Sequence, residues 1–157
     1  MHTITPFLWF DKEAVDAARF YCKVFKDSKL LTNIDYDNML TGERASVTAV
    51  TFEINGLKLT AFNGGPMFKF NESASLYVDC DTQEDVDYYW NAFIGGGGTE
   101  SQCGWLKDKW GLSWQIIPKI LPRLLGDPDR ARGQRAMQAM LRMKKIIIAD
   151  LEKAARD

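Results

Sequence analysis

Chemistry at a protein site needs a base, a nucleophile or a cluster of metal ligands, and this sequence is sparing with all three. Histidine occurs once, as His2, at a terminus expected to fray. The thiols are Cys22, Cys80 and Cys103. Cys103 could serve as a nucleophile only beside a base that lowers its pKa. No histidine is near it in sequence, so an inert buried thiol is the expectation. An odd thiol count without paired spacing fits reduced cysteines in the cytosol better than a disulfide framework. The protein is therefore expected to be cytoplasmic.

The elements that must position any site follow from periodicity. Residues 3–10 are apolar with β-branched and aromatic members and suggest a strand, with Pro6 marking an edge or bulge. Asp11 can cap a helix running to Phe25, whose stripe is Val15, Ala18, Phe20, Tyr21 and Val24. A strand over 29–36, a polar loop over 37–44 and a strand over 45–54 come next. Asn55-Gly56 is a type I′ hairpin signal, because both turn positions need positive φ. The return strand is 57–63, stopped by Gly64-Gly65-Pro66. The order then restarts. A strand over 73–79 leads to a helix capped by Asp81 or Thr82 and ending near Ile94. Gly95 to Gly98 stop it, since glycine supplies the left-handed conformation. Short strands follow near 100–104, 105–108 and 112–117. The pattern is strand, helix, three strands, given twice, as an order of elements rather than a repeat of residues.

After Pro118 the prolines at 122 and 128 delimit short helices. Asp127-Pro128-Asp129 opens one of them, and Ala136, Met137, Met140, Leu141 and Met143 give it an apolar stripe suited to packing. A second covers 149–156. The chain of 157 residues with 46% hydrophobic and 26% charged composition has ordinary globular proportions, enough to bury a core. A net charge of −1 calls for neither nucleic acid nor an anionic membrane. The local exception, Arg130, Arg132, Arg135, Arg142, Lys144 and Lys145, suits a solvated helix face. No apolar run approaches the ~20 residues of a membrane span, and the start lacks a signal peptide's basic and apolar regions.

Several longer words carry a resemblance. They are Ile4-Thr5-Pro6-Phe7-Leu8-Trp9-Phe10-Asp11, Phe62-Asn63-Gly64-Gly65-Pro66, Phe68-Lys69-Phe70-Asn71-Glu72, and Cys80-Asp81-Thr82-Gln83-Glu84-Asp85-Val86-Asp87. Cys103-Gly104-Trp105-Leu106-Lys107-Asp108-Lys109-Trp110-Gly111 and Trp114-Gln115-Ile116-Ile117-Pro118 complete the set. Together they resemble the PhnB-like family of glyoxalase-related proteins, within the vicinal-oxygen-chelate superfamily, whose members often bear the label 3-demethylubiquinone-9 3-methyltransferase. The resemblance reads along essentially the whole chain, tail included. It implies an α+β fold of two βαβββ modules, about 1–66 and 72–118, forming a curled, glyoxalase-like sheet cup. The domain would be 1–118, with a helical extension over 119–157 packing on it or on a dimer partner. It also implies a homodimer.

Metal-using relatives hold a divalent ion with four His, Glu or Gln side chains from the first and last strands of each module. By position these fall near Ile4, near Leu59 or Ala61, near Ser73, and on Gln115. A lone amide oxygen does not hold such an ion, so no metal and no cofactor is expected. The methyltransferase label implies S-adenosylmethionine. A Rossmann-type site has its glycine loop between strand and helix, whereas Gly95 to Gly98 follow a helix. Within the implied cup, Gln115 offers both a donor and an acceptor. Asn63, Ser75, Tyr77, Cys103 and Trp105 are the other ligand-binding candidates. For Gln115 and Asn63 the plainer expectation is an amide satisfied by backbone, and for Trp105, Trp110 and Trp114 it is packing. Catalytic residues are not assigned. The expected function is metal-independent binding of a small organic ligand in the cup. The alternative is an enzyme on a small or quinone-like substrate, with Tyr77 or Asp79 in acid–base roles. The missing histidine and paired carboxylates favour binding.

Overall fold

A computed structural model describes residues 2–36 and 47–156. The expected loop over 37–44 and the start of the strand at Ala45 lie outside the described residues. The chain divides into two compact units, Met1–Phe70 and Asn71–Asp157.

The first unit contains β1 (Phe7–Phe10), α1 (Ala14–Val24), β2 (Ser28–Tyr36), β3 (Val47–Ile54) and β4 (Leu57–Asn63). Its sheet runs β1-β4-β3-β2, with β1 parallel to β4 and the other pairs antiparallel. The hairpin is built as the sequence indicates: Asn55 has φ 46° and Gly56 φ 81°, and Ile54 faces Leu57 across it. Val50, Phe52, Leu59 and Ala61 are buried together with Ala14, Ala17, Ala18, Tyr21 and Val24 of α1, and the Tyr21 and Phe52 rings lie 5.9 Å apart. Removing a side chain the size of Phe52 from water contributes about 1.5–3 kcal/mol.

Two local expectations change here. The first strand begins at Phe7 rather than Thr3, because Pro6 has no N–H to donate to the ladder; its carbonyl still accepts from Thr60 N at 3.0 Å. Asp11 does not cap α1. The N-cap, Glu13, makes no side-chain cap bond, and the Ala14 N–H donates instead to Asn63 Oδ1 at 2.8 Å. A residue on the neighbouring strand thus satisfies an orphan donor of the helix start.

The second unit repeats the order with β5 (Ser75–Cys80), α2 (Gln83–Gly95), β6 (Thr99–Glu100), β7 (Trp105–Lys107) and β8 (Ser113–Pro118). Its sheet is β5-β8-β7-β6, with β5 parallel to β8. The fold is therefore α+β, two four-stranded mixed sheets with helices. Thr82 caps α2 with a full capping box, its hydroxyl accepting from Asp85 N while Asp85 accepts from Thr82 N. The glycine run stops the helix: Gly97 takes φ 100° and Gly98 N donates to Phe93 O at 3.0 Å. The strand expected over 100–104 ends at Glu100, and Cys103 and Gly104 take φ 58° and 84°, which extended backbone does not.

One face of this sheet is core. Trp114, Ile116 and Leu106 are buried, as are Val86, Trp90 and Phe93 of α2, with the Phe93 and Trp114 rings 4.6 Å apart. Buried Asp108 organises the turn before β8. Its Oδ1 accepts from Trp110 N and Leu112 N, and its Oδ2 accepts from Trp114 Nε1 at 3.0 Å.

After β8 come α3 (Ile120–Leu125), α4 (Arg130–Met140) and α5 (Ile148–Arg156). Asp129 caps α4, accepting from Ala131 N and Arg132 N. Ile117 of β8 joins Leu121, Leu124, Ala136, Ile146, Leu151 and Ala155 in one buried cluster. Met140 and Met143 pack on it, whereas Met137 and Leu141 of the same stripe are exposed. Backbone bonds fasten the extension to the body: Cys103 N and Gly104 N donate to Met143 O and Lys144 O at 2.8 and 2.7 Å. The Gln83 side chain clamps it again, donating to Ile146 O and accepting from Ile148 N.

Candidate functional site

Side chains alternate across a strand, so register decides which residues share a face. In the second sheet Gln115 sits between Tyr77 of β5 and Trp105 of β7. This row belongs to the face opposite Trp114 and Ile116. Ser75 lies two residues before Tyr77 on the same face, and its Oγ accepts from Gln115 Nε2 at 2.9 Å. Cys103 approaches the row from the loop before β7. Its left-handed backbone is disfavoured for a residue with a Cβ and is held by the bond to Met143 O.

All of these but Ser75 line a cleft of about 250 Å³. Tyr77, Cys103, Trp105 and Gln115 form its polar part. Ile117 of β8, Leu121, Pro122 and Leu125 of α3, and Met140 of α4 form its apolar part. Four of the six candidate residues thus meet in one cavity, and Ser75 bonds one of the four. Asn63 is not among its lining residues; it belongs to the first unit, where its carboxamide oxygen serves α1. Sequence reasoning missed the apolar wall. Leu121, Pro122, Leu125 and Met140 carry no chemical signal, and their common face depends on a chain reversal after β8.

Among the described residues the lining contains no Lys, Arg, His, Asp or Glu. Burial, and behind it the carboxylate of Asp79, push the Tyr77 phenol above its ordinary value of 10.0, so at neutral pH it is a hydroxyl donor. Asp79 itself turns to Lys119 at 4.0 Å and is not part of the cleft lining. Cys80 is buried and pushed up to about 12, by burial first and then by Asp85, Asp79 and Asp81. It is an inert thiol of the α2 side. Ser113 Oγ, next but one to Gln115, is buried and has no hydrogen-bond partner among the described residues. The three tryptophans part company: Trp114 is core, Trp105 lines the cleft, and Trp110 lies under Lys109 Nζ at 5.2 Å.

Two βαβββ modules, each with its first strand parallel to its last, define a glyoxalase-like protein. More closely, the model of the 3-demethylubiquinone-9 3-methyltransferase family matches residues 2–117, and the chain belongs to that family. The match stops at the end of β8 and does not reach the extension. Among solved structures, the PhnB protein of Bacillus cereus is similar at 29% identity and a TM-score of 0.64, covering 74% of this chain and 99% of that one. A protein from Pseudomonas aeruginosa is similar at 16% identity and TM-score 0.59, covering 73% and 95%. The fosfomycin resistance protein FosX of Listeria monocytogenes, in a complex with Mn(II) and sulfate, shares 14% identity and TM-score 0.55, covering 72% and 88%. The likeness to the last two, at 16% and 14% identity, is one of fold. No curated protein matches the chain.

A metal of the kind bound by FosX can be tested against the donors present. Leu59 and Ala61, the positions expected to correspond, are buried toward α1, and Thr60 is their neighbour on the opposite face. Ile4 precedes β1 and is 95% exposed. Ser73 precedes β5, is exposed and donates from Oγ to Asn71 Oδ1, and Ser75 beyond it holds the amide of Gln115. Among the described residues no three His, Cys, Asp or Glu come together as a cation site. Hydroxyl, phenol and amide groups alone do not fit a divalent ion.

Proposed function

We propose that this protein binds a small, neutral, mainly apolar organic ligand in the cleft on its second sheet, without a metal ion. The supporting observation is the convergence of Tyr77, Trp105, Gln115 and Cys103 on one cavity whose remaining lining is apolar. Such sites gain affinity from apolar contact and orientation from a few polar groups. At about 250 Å³ the cleft suits a ligand smaller than those filling the ~300–1,000 Å³ of drug-sized pockets. The described lining has no cationic side chain to serve as counter-charge for a phosphonate or carboxylate. Tyr77 would donate to a ligand oxygen, and the Gln115 amide would fix its orientation. Phenols and quinones have this chemistry.

The test is a panel of phenols and short-chain benzoquinones, read by the melting midpoint with and without EDTA. Binding raises the midpoint by mass action. Gln115→Leu should weaken it about tenfold by removing one oriented hydrogen bond, and EDTA should leave it unchanged. A midpoint that rises only with carboxylates or with a divalent ion would overturn this reading. The family name favours a second reading, an enzyme that methylates a quinone-like substrate. A midpoint raised by S-adenosylmethionine, with methyl transfer to a demethylated quinone, would establish that reading in place of the first.

In this proposal the protein works in the cytoplasm as a homodimer. Leu30, Leu31 and Ile34 are exposed apolar residues along β2, an edge strand of the first sheet, and exposed apolar edges pair readily. Light scattering at micromolar concentration should give twice the chain mass; a monomer would sink this part.

A further inference from the structure

We propose that the C-terminal extension decides which ligands the cleft accepts, with Met140 and Leu125 as the residues that set the size limit. The inference rests on the reading of the cleft as a ligand site and adds what makes that site particular to this chain. Tyr77, Trp105 and Gln115 lie within residues 2–117, the span that the family model matches. Leu121, Pro122, Leu125 and Met140 lie beyond them. Nearly all of the Bacillus cereus protein aligns with about three quarters of this chain. The polar floor therefore lies in the part of the chain that the family model spans, and the wall lies outside it.

The wall is also stiff enough to discriminate. Two backbone bonds tie Met143 and Lys144 to Cys103 and Gly104, at the cleft itself. Gln83 holds Ile146 and Ile148. Arg135 closes the far end, donating from Nε to Ala154 O and from Nη2 to Ala155 O, which satisfies terminal carbonyls of α5. Behind the wall is the buried cluster around Ile146 and Leu151. Met140 and Leu125 pack against that cluster from the cleft side and are only partly buried. Shortening either should widen the cavity without opening the core. Gly104 makes the fit close, since a Cβ there would meet Ile117 Cδ1 at 2.5 Å.

Cys103 lines the cleft and reports on its width without any knowledge of the ligand. In the full chain, alkylation at Cys103 is followed by site-resolved mass spectrometry with iodoacetamide and with the bulky pyrene maleimide. Met140→Ala and Leu125→Ala should each speed the bulky reagent about tenfold, the scale on which apolar pockets sort by size. The iodoacetamide rate and both rates at Cys22 should stay the same. Buried Cys80 should remain unlabelled, which certifies the fold. Met140→Phe, which adds bulk, should slow both reagents at Cys103 and keeps the test alive if a truncation loosens the protein. In parallel, phenol, 2-naphthol and larger phenols are bound to the same variants, and the preferred size should move upward in Met140→Ala. A size profile indifferent to Met140→Ala and Leu125→Ala, in a protein that still binds phenols through Gln115, overturns the inference alone. Failure of the wild type to bind any of the phenols overturns the reading of the cleft, and the inference with it.

Discussion

The two modules carry the same row of side chains in the same register and use it differently. In the first, Phe7, Thr60 and Thr51 stand abreast across β1, β4 and β3; in the second, Tyr77, Gln115 and Trp105 stand abreast across β5, β8 and β7. In the first row the Thr51 and Thr60 hydroxyls face each other at 3.4 Å. Around them the module knits its own rings together. Phe62 lies 5.6 Å from Phe7 and 5.2 Å from Trp9, Phe68 lies 5.1 Å from Trp9, and Trp9 Nε1 donates to Gly65 O. Gly64 is required there because a Cβ would run into the Trp9 ring. In the second row the polar side chains border a cleft, and the wall is supplied by helices that come after the sheet is complete. One ladder geometry thus gives an aromatic mat or a ligand-sized cavity, depending on which later residues return to cover it.

The comparison is broken most severely in the cores beneath the rows. Leu59 precedes Thr60 and Trp114 precedes Gln115, and both are fully buried. Leu59→Ala should cost about 3 kcal/mol and Trp114→Ala about 4–5 kcal/mol in urea denaturation. The second figure is larger because Trp114 Nε1 also donates to buried Asp108, and an acceptor left without that donor adds ~1–3 kcal/mol. Trp114→Phe separates the terms, keeping a ring and losing the bond. If the two alanine variants proved equal, the bond from Trp114 Nε1 to Asp108 Oδ2 would add nothing to the second core, and the part of Asp108 would be confined to the turn before β8.

How far this could be read from sequence also differs between the modules. The Asn55-Gly56 hairpin, a cap for α2 at Asp81 or Thr82 and the glycine stop after it were legible because turn and cap chemistry is local; the capping box settles on Thr82. The repeated order of elements followed from periodicity. The Asn63 cap on α1 was not legible, because donor and acceptor are 49 residues apart. Nor was the wall of the cleft. Tyr77 and Gln115 could be nominated as polar residues of the cup that the resemblance implies, but the face they share is set by strand register, and their cover comes from apolar residues with ordinary helical spacing. Asp108 lies between two lysines, at the turn before β8. Its second oxygen reaches a tryptophan six residues on, which no pattern of two or four residues reveals.

The smallest effect should come from the seam between the extension and the second sheet, and it should be sensitive to pH. Glu100 accepts from Trp90 Nε1 and from Lys144, and these bonds, Trp90 first, hold its carboxyl below its ordinary 4.5. Asp87 accepts from Lys145 and Gln83 and is held below its ordinary 3.8, chiefly by Lys145. A carboxyl whose folded pKa is depressed binds fewer protons folded than unfolded. Its contribution is therefore present above the unfolded value and is lost as pH falls through the folded one. Lys119 has the opposite sign: Asp81 raises it above its ordinary 10.5, so its contribution is present below that value and fades at higher pH. In the first module the Lys29–Glu53 pair has no part in any such seam. Hydrogen exchange from about pH 5 to about pH 3, corrected for intrinsic rates, should expose the Cys103 and Gly104 amides before those of the β3–β4 hairpin. Glu100→Gln keeps an acceptor for Trp90 while removing the charge that Lys144 needs. It should weaken the seam slightly at neutral pH and flatten its loss in acid. Amides that open together in both modules would mean that acid acts on the fold as a whole and that the extension has no separate hinge of stability.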